Sequence, residues 1–326
     1  MQRTKCRLLV ALVAFVLEIW CAAACAVAAE KPAKLRVGYV SPIGAMAPVW
    51  MAAASSAFHT EGLDVELVFV QSSSSMAALV AGEVDAVQIS APAIVPVVLA
   101  GGNVTMIAGL LNKMIFSFHA QREFKSAEQL RGKLVGADRI GSPNDYGVRT
   151  ALIKLHLNPE NDVQLLRIGG SAIQWTALQS RQIAASALTP PVSFKADAQG
   201  FIRLAETYDL PYQNIGLVIR KNEVDKRAEL WLRLLRAVQR GIRVWYDDPQ
   251  LSKSVLARYT KDNDPVMLAK TYEFFTKQAG FNRDLTFTDR GFEQILGFFG
   301  STVLPVAKDA SPNRFYDTKI IDKLKK

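Results

Sequence analysis

An internal repeat constrains the fold of this 326-residue chain more than any other feature. The segment from Val65 to Gly102 is echoed later in the chain by the segment from Val163 to Gly200. With a one-residue shift inside the repeat, residues of similar character align: Val65 with Val163, Leu67 with Leu165, Ser72 with Ser171, Leu79 with Leu178, Ala86 with Ala185, Ile89 with Leu188 and Pro92 with Pro191. The chain is therefore predicted to build the same unit twice.

Each copy has the pattern of a β-α-β-α unit. A strand of β-branched residues leads through a loop of serines or glycines into an apolar-periodic helix and a second strand, and a Pro then opens another helix. Crossovers of this kind produce parallel sheets, whose ligands bind at the carboxyl ends of the strands. Two such units facing each other predict a two-lobed clamp around a ligand.

The first 29 residues have the composition of a secretory leader. Arg3, Lys5 and Arg7 precede an apolar run, which ends in small residues up to Ala29. Export to the periplasm and removal of residues 1–29 are therefore expected. All three cysteines precede this point, so the mature chain is expected to contain none. A lipid anchor on Cys25 is the alternative, and it is less favoured because Leu is absent three residues before this Cys.

The charge distribution argues against a nucleic-acid partner. The formal net charge is +9, but the basic residues are spread along the chain and do not form a stripe interleaved with aromatic residues. The chain without its leader is long enough for two lobes with separate cores.

Alternation of strands and helices places the lobe boundaries. We expect lobe 1 to comprise residues 33–117 and 213–326, lobe 2 to comprise residues 118–212, and the two crossings to form a hinge. The segment from Glu123 to Arg131 is predicted to be helical, with a Ser126–Gln129 capping box.

The last part of lobe 1 is predicted to be a C-terminal cap of three consecutive helices that packs on the flank of the lobe. An apolar stripe runs from Trp231 to Trp245 and stops before Pro249. A second helix has Asp264 as its N-cap, and a shorter third helix starts after Thr288 or Asp289.

An ordered set of motifs resembles one family of transport proteins. The set comprises LRVGYV, EGLDVELV, GEVDAVQISAP, SAEQLRGKLVGAD, GSPNDYGVRTALIKLHLNP and LTPPVSFKA. It resembles the solute-binding proteins of ABC importers for nitrate, taurine, alkanesulfonates and thiamine-pyrimidine precursors. The resemblance implies an α/β, two-lobed type II periplasmic binding protein fold. It also implies a small-molecule ligand, a membrane ABC permease as partner, a monomeric state, and neither cofactor nor catalysis.

Loops at the predicted strand ends supply the candidate ligand contacts. These loops hold one base, Arg139, and one acid, Asp145, so an oxyanion would be bound mainly by hydroxyls and helix N-terminal N–H groups. The candidate ligand-binding residues are Ser41, Ser72, Ser73, Ser74, Ser90, Arg139, Ser142, Asn144, Ser171, Trp175 and Thr189.

Structural roles compete with binding at most of these positions. The serines and Thr189 are equally suited to capping helices. Arg139 is suited either to a ligand anion or to an ion pair with Asp138 or Asp145. Trp175 could form an aromatic wall or pack in the core, and the same holds for Tyr39, Phe116 and Tyr146.

The predicted function is capture of a small organic anion or zwitterion, either sulfonate- or taurine-like or an aromatic or heterocyclic carboxylate. Two alternatives share this architecture. One is a sensing module that presents its ligand to a membrane receptor. The other is an enzyme like the thiamine-pyrimidine synthases, which resemble this family and need histidines for iron. Three dispersed histidines and a leader argue against the enzyme.

Overall fold

The computed structural model describes residues 31–325, in which two five-stranded sheets are flanked by helices. The strands are β1 (Ala33–Tyr39), β2 (Leu63–Phe69), β3 (Ala86–Ser90), β4 (Val104–Lys113), β5 (Ser117–Ala120), β6 (Leu134–Ala137), β7 (Gln164–Arg167), β8 (Ala185–Leu188), β9 (Ile202–Glu206) and β10 (Pro211–Arg220). The predicted leader and Cys25 lie outside the described residues.

Helices fill the connections between strands and form the C-terminal part of the chain. They are α1 (Ala47–Ala54), α2 (Ala57–Thr60), α3 (Ser75–Ala81), α4 (Val95–Leu99), α5 (Pro143–Lys154), α6 (Ser171–Gln179), α7 (Val192–Ala198), α8 (Glu223–Lys226), α9 (Ala228–Asp247), α10 (Pro249–Thr260), α11 (Pro265–Glu273), α12 (Asp289–Thr302) and α13 (Lys319–Leu324). Within the described range, no helix combines the length and apolar character needed to cross a bilayer.

The two sheets have the same strand arrangement. Sheet A has the order β2-β1-β3-β10-β4, and sheet B has the order β7-β6-β8-β5-β9. In each sheet the first three strands are parallel and the fourth is antiparallel to both of its neighbours. The repeated strands β2 and β3 occupy the positions in sheet A that β7 and β8 occupy in sheet B. The predicted repeat and α/β fold class are thus confirmed.

The chain passes between the sheets twice, and the two crossing segments are hydrogen-bonded to each other. The Thr207 backbone N–H donates to the Phe116 carbonyl at 3.0 Å, and its hydroxyl donates to the same oxygen at 2.9 Å. The Asn214 amide donates to the Lys113 carbonyl at 3.0 Å. The crossings therefore form one paired ribbon, as a hinge would require. The lobe boundaries proposed from the sequence remain a prediction.

Helix α9 confirms the predicted apolar stripe and its packing on the first lobe. Its buried face includes Trp231, Leu235 and Trp245, all with no exposed surface. This face packs against α1, where Gly241 approaches Ala52 so closely that a Cβ on Gly241 would lie 2.5 Å from the Ala52 backbone nitrogen. The two helices therefore meet at backbone distance, which only glycine permits here.

Local capping signals located most of the other C-terminal helices. Asp264 Oδ1 accepts hydrogen bonds from the first turn of α11, and Thr288 Oγ1 accepts one from the first turn of α12, as predicted. Helix α11 continues as a π-helical turn over Phe274–Gln278, and the 14-residue α12 is as long as this whole stretch, whereas it was predicted to be shorter. Helix α10 was missed because Asp248 and Pro249, interpreted as a helix stop, also cap a new helix.

For the segment that follows the first crossing, one prediction was wrong and one strand was not predicted. The helix expected from Glu123 to Arg131 is only a 3₁₀ turn over Ala127–Leu130, although the predicted capping box is present. The short strand β5, in the segment preceding it, was not predicted because four residues are too few to show a period.

Replacing Gly241 by Ala tests the close helix contact. We expect Gly241→Ala to lower the free energy of unfolding by about 1–3 kcal/mol, because the added methyl group overpacks the α9–α1 interface. Gly297→Ala on α12 is the control, since nothing lies within 4 Å of its Cβ position. It should raise stability by about 0.5–1 kcal/mol through helix propensity. Equal effects in urea denaturation would contradict this account.

Candidate functional site

A cavity of about 550 Å³ lies where the carboxyl ends of the parallel strands of both sheets meet. Sheet A contributes Ser41 after β1, Ser72 after β2 and Ser90 at the end of β3. Sheet B contributes Asp138 after β6 and Thr189 after β8. The volume is within the range typical of small-molecule sites.

Six of the eleven predicted ligand contacts line this cavity: Ser41, Ser72, Ser90, Asn144, Ser171 and Thr189. The other five, Ser73, Ser74, Arg139, Ser142 and Trp175, are not among its lining residues. The structure thus brings together hydroxyl groups from both halves of the repeat. Binding by each of these residues stays a prediction.

The serine run before α3 divides into a cavity-lining residue and turn residues. The Ser74 hydroxyl donates to the Gln71 carbonyl at 3.2 Å, and the Ser75 hydroxyl donates to the Ser72 carbonyl at 2.9 Å. These bonds close the turn before the helix, and Ser73 is exposed. Ser72 alone of the run lines the cavity.

On the sheet B side, the two hydroxyl residues of the cavity come from neighbouring loops and are hydrogen-bonded to each other. Ser171 Oγ accepts a hydrogen bond from the Thr189 backbone N–H at 3.2 Å, and the Thr189 hydroxyl lies 3.3 Å from it. The start of α6 is therefore attached to the end of β8. Because Ser171 is the first residue of α6, unsatisfied N–H groups of the first helical turn lie beside the cavity.

Asn144 lines the cavity but is occupied by structural hydrogen bonds. Its amide group donates to the Ala187 carbonyl at 2.7 Å and to Gln174 Oε1 at 3.1 Å. Its oxygen accepts from the Asp138 backbone N–H at 2.9 Å and from Gln174 Nε2 at 2.8 Å. Asn144 therefore connects the loop after β6 with α6 and β8. Because its amide group is already hydrogen-bonded, it can contact a ligand mainly through van der Waals interactions.

Asp145, the acid counted among the predicted loops, is fully buried and neutralised within its own lobe. Arg149 donates to it at 3.1 Å, Arg167 also donates to it, and the Gly141 N–H donates at 3.0 Å. Ser142 is the N-cap of α5 and accepts from the Asp145 N–H. Together these contacts fix the loop that precedes α5.

Arg139 extends from the sheet B side towards the sheet A side. Its guanidinium lies 3.4 Å from the Ser72 hydroxyl, while its backbone N–H donates to the Asp138 carboxylate at 2.7 Å. In the described chain it forms no ion pair with Asp138 or Asp145, so that alternative was wrong. Arg139 is instead an exposed contact between the two sides near the cavity.

Of the four aromatic residues considered for a wall of the cavity, Phe116 lines it. Phe116 is part of the crossing ribbon. Trp175 packs edge-on against Phe201 at 5.1 Å, Tyr39 packs against Trp50 at 5.6 Å, and Tyr146 stacks on Tyr212 at 5.0 Å. The core alternative therefore describes these three aromatic residues.

Sequence reasoning missed three of the four charged residues of the cavity lining and part of its apolar lining. Lys195 lies on α7, and Lys261 and Asp262 lie in the loop between α10 and α11. The missed apolar residues include Met46, Ile115, Ile173 and Ile215. Helical periodicity could have indicated Lys195, because it lies one turn beyond Pro191, which lines the cavity too. No local signal connects the α10–α11 loop with the repeat.

Helix α7 is attached to β5 and β9 by a polar cluster that comprises buried His119 and the partly exposed Asp197 and Arg203. His119 has no exposed surface; its Nδ1 lies 3.1 Å from the Ser117 carbonyl and its Nε2 lies 2.9 Å from Asp197 on α7. Burial alone would raise the pKa of Asp197, but hydrogen bonds from His119 and Arg203 outweigh it, so this pKa is lowered. Burial also raises the pKa of nearby Tyr208 to about 12.

Histidines are absent from the cavity lining as far as the chain is described. Residues 31–325 also contain no group of three or more His, Cys, Asp or Glu side chains arranged to hold a metal ion.

A larger depression of about 700 Å³ lies near the crossing ribbon and is lined by paired surface groups. Lys154 lies 2.6 Å from Asp209, and Lys113 donates to the Gln278 carbonyl at 3.1 Å. Such exposed pairs are typical of a solvated protein surface. The cavity between the sheets is therefore the candidate site.

Comparison with known proteins identifies a family and a fold. The model of the NMT1-like family matches residues 28–259. No curated protein matches the sequence.

Three solved structures illustrate the similarity. The ligand-binding component of an ABC-type import system from Staphylococcus aureus, with zinc bound, is 15% identical with a TM-score of 0.72, over 90% of this chain and 99% of that chain. The periplasmic nitrate-binding protein NrtA from Synechocystis PCC 6803 is 15% identical with a TM-score of 0.69, over 90% and 86%. The alkanesulfonate-binding protein SsuA from Xanthomonas axonopodis pv. citri, bound to MOPS, is 15% identical with a TM-score of 0.67, over 88% and 96%. These similarities confirm the predicted periplasmic binding protein fold.

Replacing Asp197 by Asn tests the polar cluster at α7. We expect Asp197→Asn to lower the free energy of unfolding at pH 7 by about 1–3 kcal/mol, because charge-assisted hydrogen bonds are lost. The native pKa of Asp197 is lowered, so its contribution is complete above its unfolded-state pKa and is lost as the pH falls through the native pKa. The difference between wild type and variant should therefore shrink below about pH 4.

Urea denaturation at pH 7 and pH 3 measures this difference. Asp309→Asn, which changes an exposed carboxylate, is the control and should alter stability little at either pH. A difference between wild type and Asp197→Asn that is the same at both pH values would contradict the assignment.

Proposed function

The chain belongs to the NMT1-like family, and on this premise we propose that it is the solute-binding component of an ABC importer. In this function it captures a small organic anion or zwitterion in the periplasm and delivers it to a membrane permease. The observation that carries the proposal is the convergence of strand ends from two similarly built sheets on one cavity. Binding at this position is the general property of open parallel sheets.

The lining of the cavity indicates a ligand with one polar end and an apolar body. Hydroxyls of Ser41, Ser72, Ser90 and Thr189, together with the start of α6, can donate hydrogen bonds to an oxyanion. Met46, Ile115, Phe116, Ile173 and Ile215 offer apolar surface. Sulfonates and aromatic or heterocyclic carboxylates combine both features, and a bare inorganic anion would leave the apolar surface uncovered.

Opposite charges accompany the hydroxyls in the cavity. Lys195 and Lys261 are balanced by Asp138 and Asp262, so the charged groups of the lining sum to zero. This balance agrees with binding of a small anion or zwitterion mainly through hydroxyls and helix N-termini, without a large fixed positive charge.

The crossing ribbon supports capture by movement of the two sides. Two connections that are hydrogen-bonded to each other through Thr207 and Phe116 can bend together, which permits opening and closing around a ligand. A permease would then distinguish the occupied from the empty protein by the relative position of the lobes.

A ligand panel tests the proposed function. We expect the exported protein to be stabilised by at least one organic class in a panel of alkanesulfonates, aromatic carboxylates, nitrate and pyrimidines, since a ligand at about 100 times its Kd adds about 2.7 kcal/mol to the free energy of unfolding. Thermal denaturation and calorimetry measure this, and neutral alcohols with the same carbon skeletons are the control. If no member of the panel changes the melting temperature at millimolar concentration, the proposed ligand range is wrong.

Two serines at opposite ends of α6 provide a matched test of the site. We expect Ser171→Ala to weaken binding of a ligand found in the panel by about threefold to tenfold, which corresponds to one lost hydrogen bond. Ser180→Ala, at the far end of the same helix, should leave the affinity unchanged, because within residues 31–325 the Ser180 hydroxyl donates only to the Thr176 and Ala177 carbonyls. Calorimetry that gives equal losses for both variants would remove Ser171 from the site.

A further inference from the structure

Lys195 and Asp262 form an ion pair across the cavity. Lys195 is on α7, which flanks sheet B, whereas Asp262 lies between α10 and α11 in the C-terminal helices. Lys195 Nζ is 2.7 Å from Asp262 Oδ2, and both residues line the cavity. This is a contact between elements of the two sides at the site itself.

The two partners differ in their access to solvent. The Asp262 side chain is 8% exposed, and that of Lys195 is 38% exposed. Asp262 Oδ1 accepts a hydrogen bond from the Asp264 N–H at 3.1 Å, which fixes the carboxylate. Apart from Lys195, Oδ2 has no partner among the described residues. The buried carboxylate therefore depends on an external cation, and Lys195 supplies it.

Both residues line the cavity, so a ligand meets Lys195 directly and reaches the enclosed Asp262 carboxylate when the Lys195 ammonium moves towards the ligand. An anionic group is attracted by Lys195 but repelled by Asp262, so a simple anion gains little from the pair. A ligand that carries an ammonium and an acidic group can satisfy both, with its anion at Lys195 and its cation at Asp262. The pair therefore favours zwitterions over anions of the same shape.

We propose that Lys195 and Asp262 determine ligand specificity, with Lys195 contacting the acidic group and Asp262 selecting ligands that bring a positive charge. This inference rests on the proposed binding function and specifies its ligand class. Asp262 lowers the affinity for simple anions, whereas Lys195 raises it.

Matched ligand pairs test the proposal. The probes are 2-aminoethanesulfonate with propane-1-sulfonate, and phenylalanine with 3-phenylpropanoate; the members of each pair differ by the ammonium group. In wild type we expect tighter binding of the zwitterion in at least one pair. Asp262→Asn should strengthen binding of the anion about tenfold and lower the zwitterion-to-anion affinity ratio at least as much. Lys195→Met should weaken binding of the anion about tenfold.

Lys270→Met is the control variant. It removes an exposed lysine on α11 outside the cavity and should change each affinity less than twofold. Calorimetry on variants with native circular dichroism overturns the proposal if Asp262→Asn weakens binding of the anion or leaves the affinity ratio within twofold. Absence of binding of all four probes to every variant also overturns it. In either case, stabilisation of wild type by the wider panel would leave the proposed function standing.

Discussion

Parallel pairing of β1 with β2 and β3, repeated as β6 with β7 and β8, is the constraint on which the rest of this structure depends. Parallel strands need crossover helices, so every carboxyl end is followed by a loop and the start of a helix. Because this unit occurs twice, the protein has two sheet edges at which hydroxyl groups and backbone N–H groups are concentrated. The two crossings then bring these edges together around a single cavity.

Buried polar groups beside the cavity on the sheet B side are paired with each other. Asp145 is neutralised by Arg149 and Arg167, and Asn144 exchanges paired hydrogen bonds with Gln174. Such internal satisfaction makes the loops rigid and leaves few unpaired charges near the cavity. The pair formed by Lys195 and Asp262 differs because it joins elements from opposite sides. The site thus combines two sheet edges with an ion pair between them.

The fold was largely predictable from the sequence, whereas the site was only partly so. The repeat, the stripe on α9 and the caps at Asp264 and Thr288 are local or periodic signals. The family resemblance, which was based on an ordered set of motifs, is also confirmed. Strand ends indicated the hydroxyls of the cavity because topology alone places them there. Asp262 was beyond prediction, since its position depends on how the C-terminal helices pack against lobe 1, and no sequence period records that tertiary arrangement.

The C-terminal helices form one wall of the cavity. Helix α9 is fixed on α1, yet the α10–α11 loop carries Lys261 and Asp262 into the cavity, and Phe274 packs on Tyr208 at 4.9 Å. One wall of the cavity thus belongs to a segment outside the duplicated framework. Substitutions there can change which ligands are preferred without altering the strand arrangement that the two sheets share.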